Sequence, residues 1–179
     1  VSLPGMKDRS VILYTFSKKY AMTGWRLGAA IAPKPVADVI AKLNTNDESC
    51  TTHFVQYGGV EALRGDQSSV ATMLDTLRER RDTAVKMLNA MPGVNVHSPE
   101  ATFYLFPEVT GAMKAKGIDD LAVFAEQALH ATGVSFCTRR HFGRPQPGEK
   151  EQYIRLAFSG IDNSDIADGL KLMGEWIAN

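Results

Sequence analysis

Two short apolar runs, 11–16 and 27–32, constrain this chain more than any other feature, because they fix both ends of the segment between them. The first, Val11-Ile12-Leu13-Tyr14-Thr15-Phe16, is rich in apolar and β-branched residues and predicts a buried strand. The second, Leu27-Gly28-Ala29-Ala30-Ile31-Ala32, brings the chain back into the sheet. Whatever lies between them is a loop anchored on rigid structure. That loop carries Lys18 just past the first strand end and Arg26 just before the second, with the Thr15 hydroxyl three residues ahead of the lysine.

A lysine, a hydroxyl and an arginine at this spacing can hold a phosphorylated aldehyde. A lysine amine forms a Schiff base with a carbonyl only when neutral, which requires desolvation or a neighbouring positive charge. An arginine keeps its charge, and its planar fork suits a phosphate better than an ammonium does. Thr15 can donate to a further phosphate oxygen. Pyridoxal 5'-phosphate (PLP) asks for this combination, since it acts as an electron sink once bonded to a lysine. Taken alone, adjacent Lys18 and Lys19 would read as a solvated basic turn; the longer string from Thr15 to Gly28 argues for the site.

That string resembles the PLP-attachment signature of the class I/II aminotransferases, the aspartate-aminotransferase-like branch of fold type I. The matching residues are Ser17-Lys18, Ala21-Met22, Gly24 and Arg26-Leu27-Gly28. The resemblance implies that Lys18 carries the cofactor and later shuttles a proton, while Thr15 and Arg26 bind its phosphate. The family usually has serine or glycine where this chain has Thr15, which keeps the hydroxyl and adds a methyl. Lys19 falls at a variable position, as a bystander. The implied fold is α/β: the end of a PLP-dependent transferase large domain over 1–66, then a small C-terminal α/β domain over 67–179 that opens with a long linking helix. Family members are longer, with the lysine past their middle, so the chain corresponds to their C-terminal portion. The implied partners are an amino acid, a 2-oxo acid and a second copy of the enzyme in a homodimer.

Composition agrees with a cytoplasmic globular enzyme. The 179 residues suffice for one good core or two small domains, and 44% hydrophobic with 22% charged residues is ordinary. Twenty basic and twenty acidic side chains cancel, so no net field favours nucleic acid or an anionic membrane. Cys50 and Cys137 lie far apart without CxxC spacing, and His53, His97, His130 and His141 lack metal-ligand spacing, so neither a disulfide framework nor a metal site is expected. No apolar stretch approaches a membrane span, and no signal peptide opens the chain. The chain starts at Val1 without a methionine, which agrees with a piece of a longer protein.

Beyond the loop, a helix is expected from Pro35 to Asn44, with Val36, Val39, Ile40 and Leu43 on one face. A polar loop, Ser49 to Thr52, precedes a short helix from Phe54 to Leu63 that ends at Gly65. In relatives a corresponding loop reaches the neighbouring subunit's cofactor phosphate; a plain solvent loop fits these residues equally. Asp66 or Ser68 then caps a long helix to about Met91 with Val70, Met73, Leu74, Leu77, Ala84 and Leu88 on its stripe. Arg78, Arg80 and Arg81 on its other faces read as solvated ion pairs. Strands are expected at 94–96, 102–106, 134–137 and 153–158. Helices follow from Asp119 to Gly133, carrying Leu121, Phe124, Ala125, Ala128 and Leu129, and from Asp162 or Ser164 onward, carrying Ile166, Leu170, Met173 and Ile177.

Arg155 breaks the apolar pattern of its strand, standing between Ile154 and Leu156. Burying a charge without a partner is costly, so the arginine either snorkels to water or meets an anion. The run from Tyr153 to Phe158 resembles the family's second arginine motif, and the resemblance implies that Arg155 clamps the substrate α-carboxylate. Cys137-Thr138-Arg139-Arg140 stands where many relatives have Pro-Gly, a departure at the substrate rim. The expected activity is PLP-dependent transfer of an amino group between an amino acid and a 2-oxo acid. The alternatives are a lyase-type enzyme of the same fold, a ligand-sensing domain joined to a DNA-binding module, and a folded but inert isolated domain.

Overall fold

A computed structural model describes all residues from Val1 to Asn179. The chain is α/β and forms two compact units, Val1–Thr72 and Met73–Asn179.

In the first unit, β1 (Ile12–Thr15) and β2 (Gly28–Ile31) pair antiparallel, with Ile12 opposite Ile31 and Thr15 opposite Gly28. The Phe16 N–H donates to Leu27 O at 3.3 Å and extends the ladder one residue into the lysine loop. α1 (Lys34–Asp47) starts with a proline in its first turn, where a missing N–H costs nothing. α2 (His53–Arg64) follows the polar loop and ends at Gly65. The expected elements are present, but two expected burials are not. Leu13 on β1 is 83% exposed, and Val36, Val39 and Leu43 on α1 are exposed as well. A two-stranded sheet has no second layer here to cover those faces, so an apolar run that reads as a core strand stays open to solvent.

Gly58 and Gly59 on α2 bring that helix against the lysine loop. A Cβ on Gly59 would meet Leu27 Cδ2 at 2.5 Å, and one on Gly58 would meet the Trp25 ring at 2.7 Å. Only glycine permits this approach. Phe16, Met22 and Val55 form the buried centre of the unit.

α3 (Ser68–Asn89) is one continuous helix, and Asp66 Oδ1 accepts from the Ser68 N–H at 3.1 Å at its start. Ala84 and Leu88 on its second half are buried, whereas Leu74 is exposed. In the second unit β3 (Tyr104–Leu105), β4 (Cys137–Thr138) and β5 (Ile154–Ala157) form an antiparallel sheet in the order β3-β5-β4. The expected strand at 94–96 reduces to an isolated bridge between Asn95 and Glu108, because the Asn89 side chain takes the Val96 backbone groups instead. α4 (Thr110–Ala115) has no counterpart in the sequence reading; it is too short to show a period. α5 (Leu121–Thr132) is capped by Asp120, one residue after the expected Asp119, and closed by Gly133 at φ +73. Leu121, Phe124 and Ala128 on α5 are buried, while Leu129 faces out. α6 (Asn163–Ala178) buries Ile166, Leu170, Met173 and Ile177, as its stripe requires.

These helices and the sheet enclose one core around Leu88, Leu105, Val109, Phe124, Ile154 and Met173. Arg80 departs from its expectation: only 16% of its side chain is exposed, and its guanidinium donates to Ser159 O at 2.9 Å and to Asp162 at 3.1 Å. It ties α3 to the turn before α6 rather than sitting in a solvated pair. Arg78, paired with Asp75, is solvated as expected.

Candidate active site

The lysine loop is a chain of tight turns built on β1 and β2. The Tyr20 N–H donates to Phe16 O, the Ala21 N–H to Lys18 O, both at 3.3 Å, and the Trp25 N–H to Met22 O at 3.2 Å. Ala21 and Arg26 both adopt φ +53, the left-handed region that residues with a Cβ avoid. Two such residues within one loop store strain that the flanking structure must hold, and strain of this kind clusters at functional sites. Phe16 and Met22 pin the loop from below, since both are buried. Lys18 itself lies at the exposed crest of the turn.

Thr15 ends β1, and its Oγ1 accepts from the Ser17 N–H at 3.2 Å. That contact uses the oxygen's lone pair and leaves the hydroxyl proton for an incoming acceptor. Arg26 Nη1 donates to Thr23 O at 3.0 Å, which orients the guanidinium and leaves most of its donors open. Arg26 borders an open cleft of about 680 Å³ whose wall also includes Trp25, Asn44, Cys50, Thr51 and Thr52. The polar loop from Ser49 to Thr52 therefore sits beside the arginine in the same unit. Lys18 is not part of that wall. Thr15 and Lys18 belong to one end of the loop, Arg26 to the other, and the β1–β2 register brings those ends side by side.

The residues beside the lysine were underread in the sequence. The Lys19 ammonium stands 5.0 Å from the centre of the Tyr20 ring. A hydrogen bond between Lys19 and the Tyr20 hydroxyl holds the lysine's pKa up and draws the phenol's down. The Tyr14 phenol is pushed up by partial burial and by its hydrogen bond with Tyr20. Adjacency in sequence gave no sign of this cluster, because Tyr14 lies on β1 and meets Tyr20 only after the loop folds back. The two α2 glycines were equally silent, since a glycine inside a helical pattern signals a close approach without saying to what.

Arg155 lies on β5 in the second unit, opposite Cys137 on β4. Its guanidinium carbon is 4.3 Å from the centre of the Tyr104 ring and 4.7 Å from that of Phe142. Nη2 points to Cys137 Sγ at 3.6 Å, a weak acceptor. No ion pair joins Arg155, in contrast to Arg139, which pairs with Glu149. A half-buried guanidinium held by ring faces and a sulfur keeps its strong donors for an anion.

The donor set suits the phosphorylated aldehyde that the sequence points to: an amine, a hydroxyl with a free proton and a fixed guanidinium, all on one strained loop. Residues 3–171 match the family model for aminotransferase class I and II. The chain belongs to that family. It is 35% identical over 164 residues to the aspartate aminotransferase of Musicola paradisiaca, covering 92% of this chain and 39% of that protein. It is 36% identical over 139 residues to the asparagine–oxo-acid transaminase of Streptococcus mutans, covering 78% and 35%. Among solved structures, the aspartate aminotransferase of Rhizobium meliloti superposes with a TM-score of 0.85 at 26% identity, over 98% of this chain and 43% of that one. The aromatic aminotransferase of Pyrococcus horikoshii gives 0.85 at 28% identity, over 98% and 45%. The chain thus spans roughly two fifths of the length of the curated relatives it matches.

Proposed function

We propose that this chain is the C-terminal portion of a PLP-dependent aminotransferase that moves an amino group between an amino acid and a 2-oxo acid. In this reading the first unit is the end of a large cofactor domain and the second is a small C-terminal domain, and the working enzyme is a cytoplasmic homodimer. The observation that carries the reading is the lysine loop: Lys18 in the exposed turn just past β1, Thr15 and Arg26 at its paired ends, and left-handed backbone at Ala21 and Arg26.

Lys18 would supply the amine for the aldehyde of PLP, and Thr15 and Arg26 would hold its phosphate by a hydroxyl proton and a charged fork. When bound, the cofactor accepts the electron pair released as the substrate's Cα–H bond breaks. With the cofactor bound, the Lys18 amine would be the base that takes the substrate's α-proton and later returns it, so one positioned group would serve twice. Arg155, in the second unit, would hold the substrate carboxylate through two parallel hydrogen bonds. Aspartate, asparagine and prephenate appear among the names of the relatives, which favours an acidic or amide amino acid as donor.

The apolar faces left open in the first unit support the view that the isolated chain is inert. The test therefore uses the full-length parent, incubated with pairs of amino acids and 2-oxo acids. Amino transfer that disappears in Lys18→Ala is expected. Release of ammonia with no transfer would instead assign a lyase.

A further inference from the structure

Two half-buried arginines of the second unit use their hydrogen bonds in opposite ways. Arg139 commits every donor it has. Nε and Nη2 reach the two carboxylate oxygens of Glu149 at 2.8 and 3.1 Å, and Nη2 also donates to Arg144 O at 3.1 Å. Nη1 donates to Phe142 O at 3.0 Å and to Gly143 O at 3.2 Å. A guanidinium has five N–H groups, so none remains for a ligand. Arg155 instead gives one weak bond to sulfur and lies against two aromatic rings, those of Tyr104 and Phe142.

The two arginines are connected through one residue. Phe142 is the ring stacked on Arg155 at 4.7 Å, and it is also held by its backbone to Arg139 in both directions. Its carbonyl accepts from Arg139 Nη1, and its N–H donates to Arg139 O at 3.0 Å. Glu149 completes the clamp from the far side of the loop, where Oε2 also accepts from the Gln146 N–H at 2.8 Å. The stretch from Arg139 to Glu149 contains little regular structure beyond a short turn, so this ion pair is what gives it a shape. Phe106 backs the Phe142 ring edge-on at 5.7 Å.

We infer that Arg139, together with Glu149, is a positioning residue for the substrate carboxylate: it fixes the loop that carries Phe142, and Phe142 with Tyr104 fixes the plane of Arg155. The inference rests on the reading of Arg155 as the carboxylate anchor. Rings packed against a guanidinium leave its N–H edges free, and the edge is where a carboxylate binds in bidentate fashion. Arg139 therefore acts on recognition without touching the ligand.

The test follows the side-chain signals of Arg155, by nitrogen-15 NMR of the full-length parent, while sodium 2-oxoglutarate is added. In the unaltered chain the Arg155 signals are expected to lie upfield, shielded by the two rings, and to move saturably with the probe; Arg155→Ala identifies them. Arg139→Ala is expected to lose most of the shielding contributed by Phe142 and to weaken binding by about fivefold, the scale of one lost cation–π contact. Arg139→Lys, which has no fork, should not restore either. Phe142→Leu removes the ring and leaves the clamp, so it carries the test if Arg139→Ala does not fold. It should weaken binding to the same degree, and Phe142→Tyr should restore it. Saturable binding in the unaltered chain, with unchanged shielding and affinity in Arg139→Ala or unchanged affinity in Phe142→Leu, overturns the inference and leaves the anchor reading intact. An unaltered chain whose Arg155 signals ignore 2-oxoglutarate overturns both.

Discussion

Between Met73 and Asn179, Leu88, Leu105, Val109, Phe124, Ile154 and Met173 are sealed from solvent, whereas between Val1 and Thr72 Leu13, Leu43, Phe54 and Tyr57 stand exposed. The second unit is stabilised by a core that helices and a three-stranded sheet enclose together. The first buries little, and what it buries lies under the lysine loop: Phe16 and Met22 inside it and Val55 and Gly59 on the helix behind it. The difference separates two ways of holding the arginine and the lysine proposed for the site. Arg155 is positioned from a packed sheet, and Lys18 from a loop whose strained turns are braced at a few points.

The largest expected effect breaks that contrast directly. Phe124→Ala should cost about 3–5 kcal/mol, because a fully buried ring leaves a cavity. Leu13→Ala, on the exposed face of β1, should stay within about 0.5 kcal/mol. Urea unfolding of both variants measures this, and equal losses would mean that β1 is covered in solution.

A smaller effect sharpens the account of the second unit. The Asp120 carboxylate is held below its ordinary pKa, first by its hydrogen bond to Arg140 and next by the Ala122 N–H it caps. A depressed carboxylate contributes stability above its unfolded pKa, near pH 4. That contribution is lost as pH falls through the lower folded value. Asp120→Asn, which keeps a capping oxygen and drops the charge, should flatten this acid limb of the stability curve while changing neutral-pH stability less than Asp120→Ala does. A series of thermal melts from pH 2 to 7 reads both, and an unchanged acid limb in Asp120→Asn would remove Asp120 from the account.

Much of this architecture was legible in the residues. The α6 stripe, the Gly133 stop and the strand carrying Arg155 follow from spacing and turn chemistry, which are local. The pairing of the two apolar runs that flank Lys18 and Arg26 was legible too, because each run is short and apolar. What the sequence hid depends on contacts between distant segments. The exposure of β1 reflects how many layers surround it, which an apolar run does not encode. The tether at Arg80 depends on Ser159 and Asp162, far along the chain, so a helix-surface pattern reads it as solvated. The Phe142–Arg155–Tyr104 stack joins three separate elements, and none of the three residues signals it alone.

The central claim is that Lys18, in the exposed turn just past β1, is where an aldehyde cofactor attaches. Incubation of the full-length parent with pyridoxal 5'-phosphate, reduction with borohydride and peptide mass spectrometry locates the attachment. The account expects the label on Lys18, diminished when Arg26 is changed to Ala because the phosphate grip is lost. A label spread over exposed lysines such as Lys19 and Lys34, and indifferent to Arg26, would contradict it.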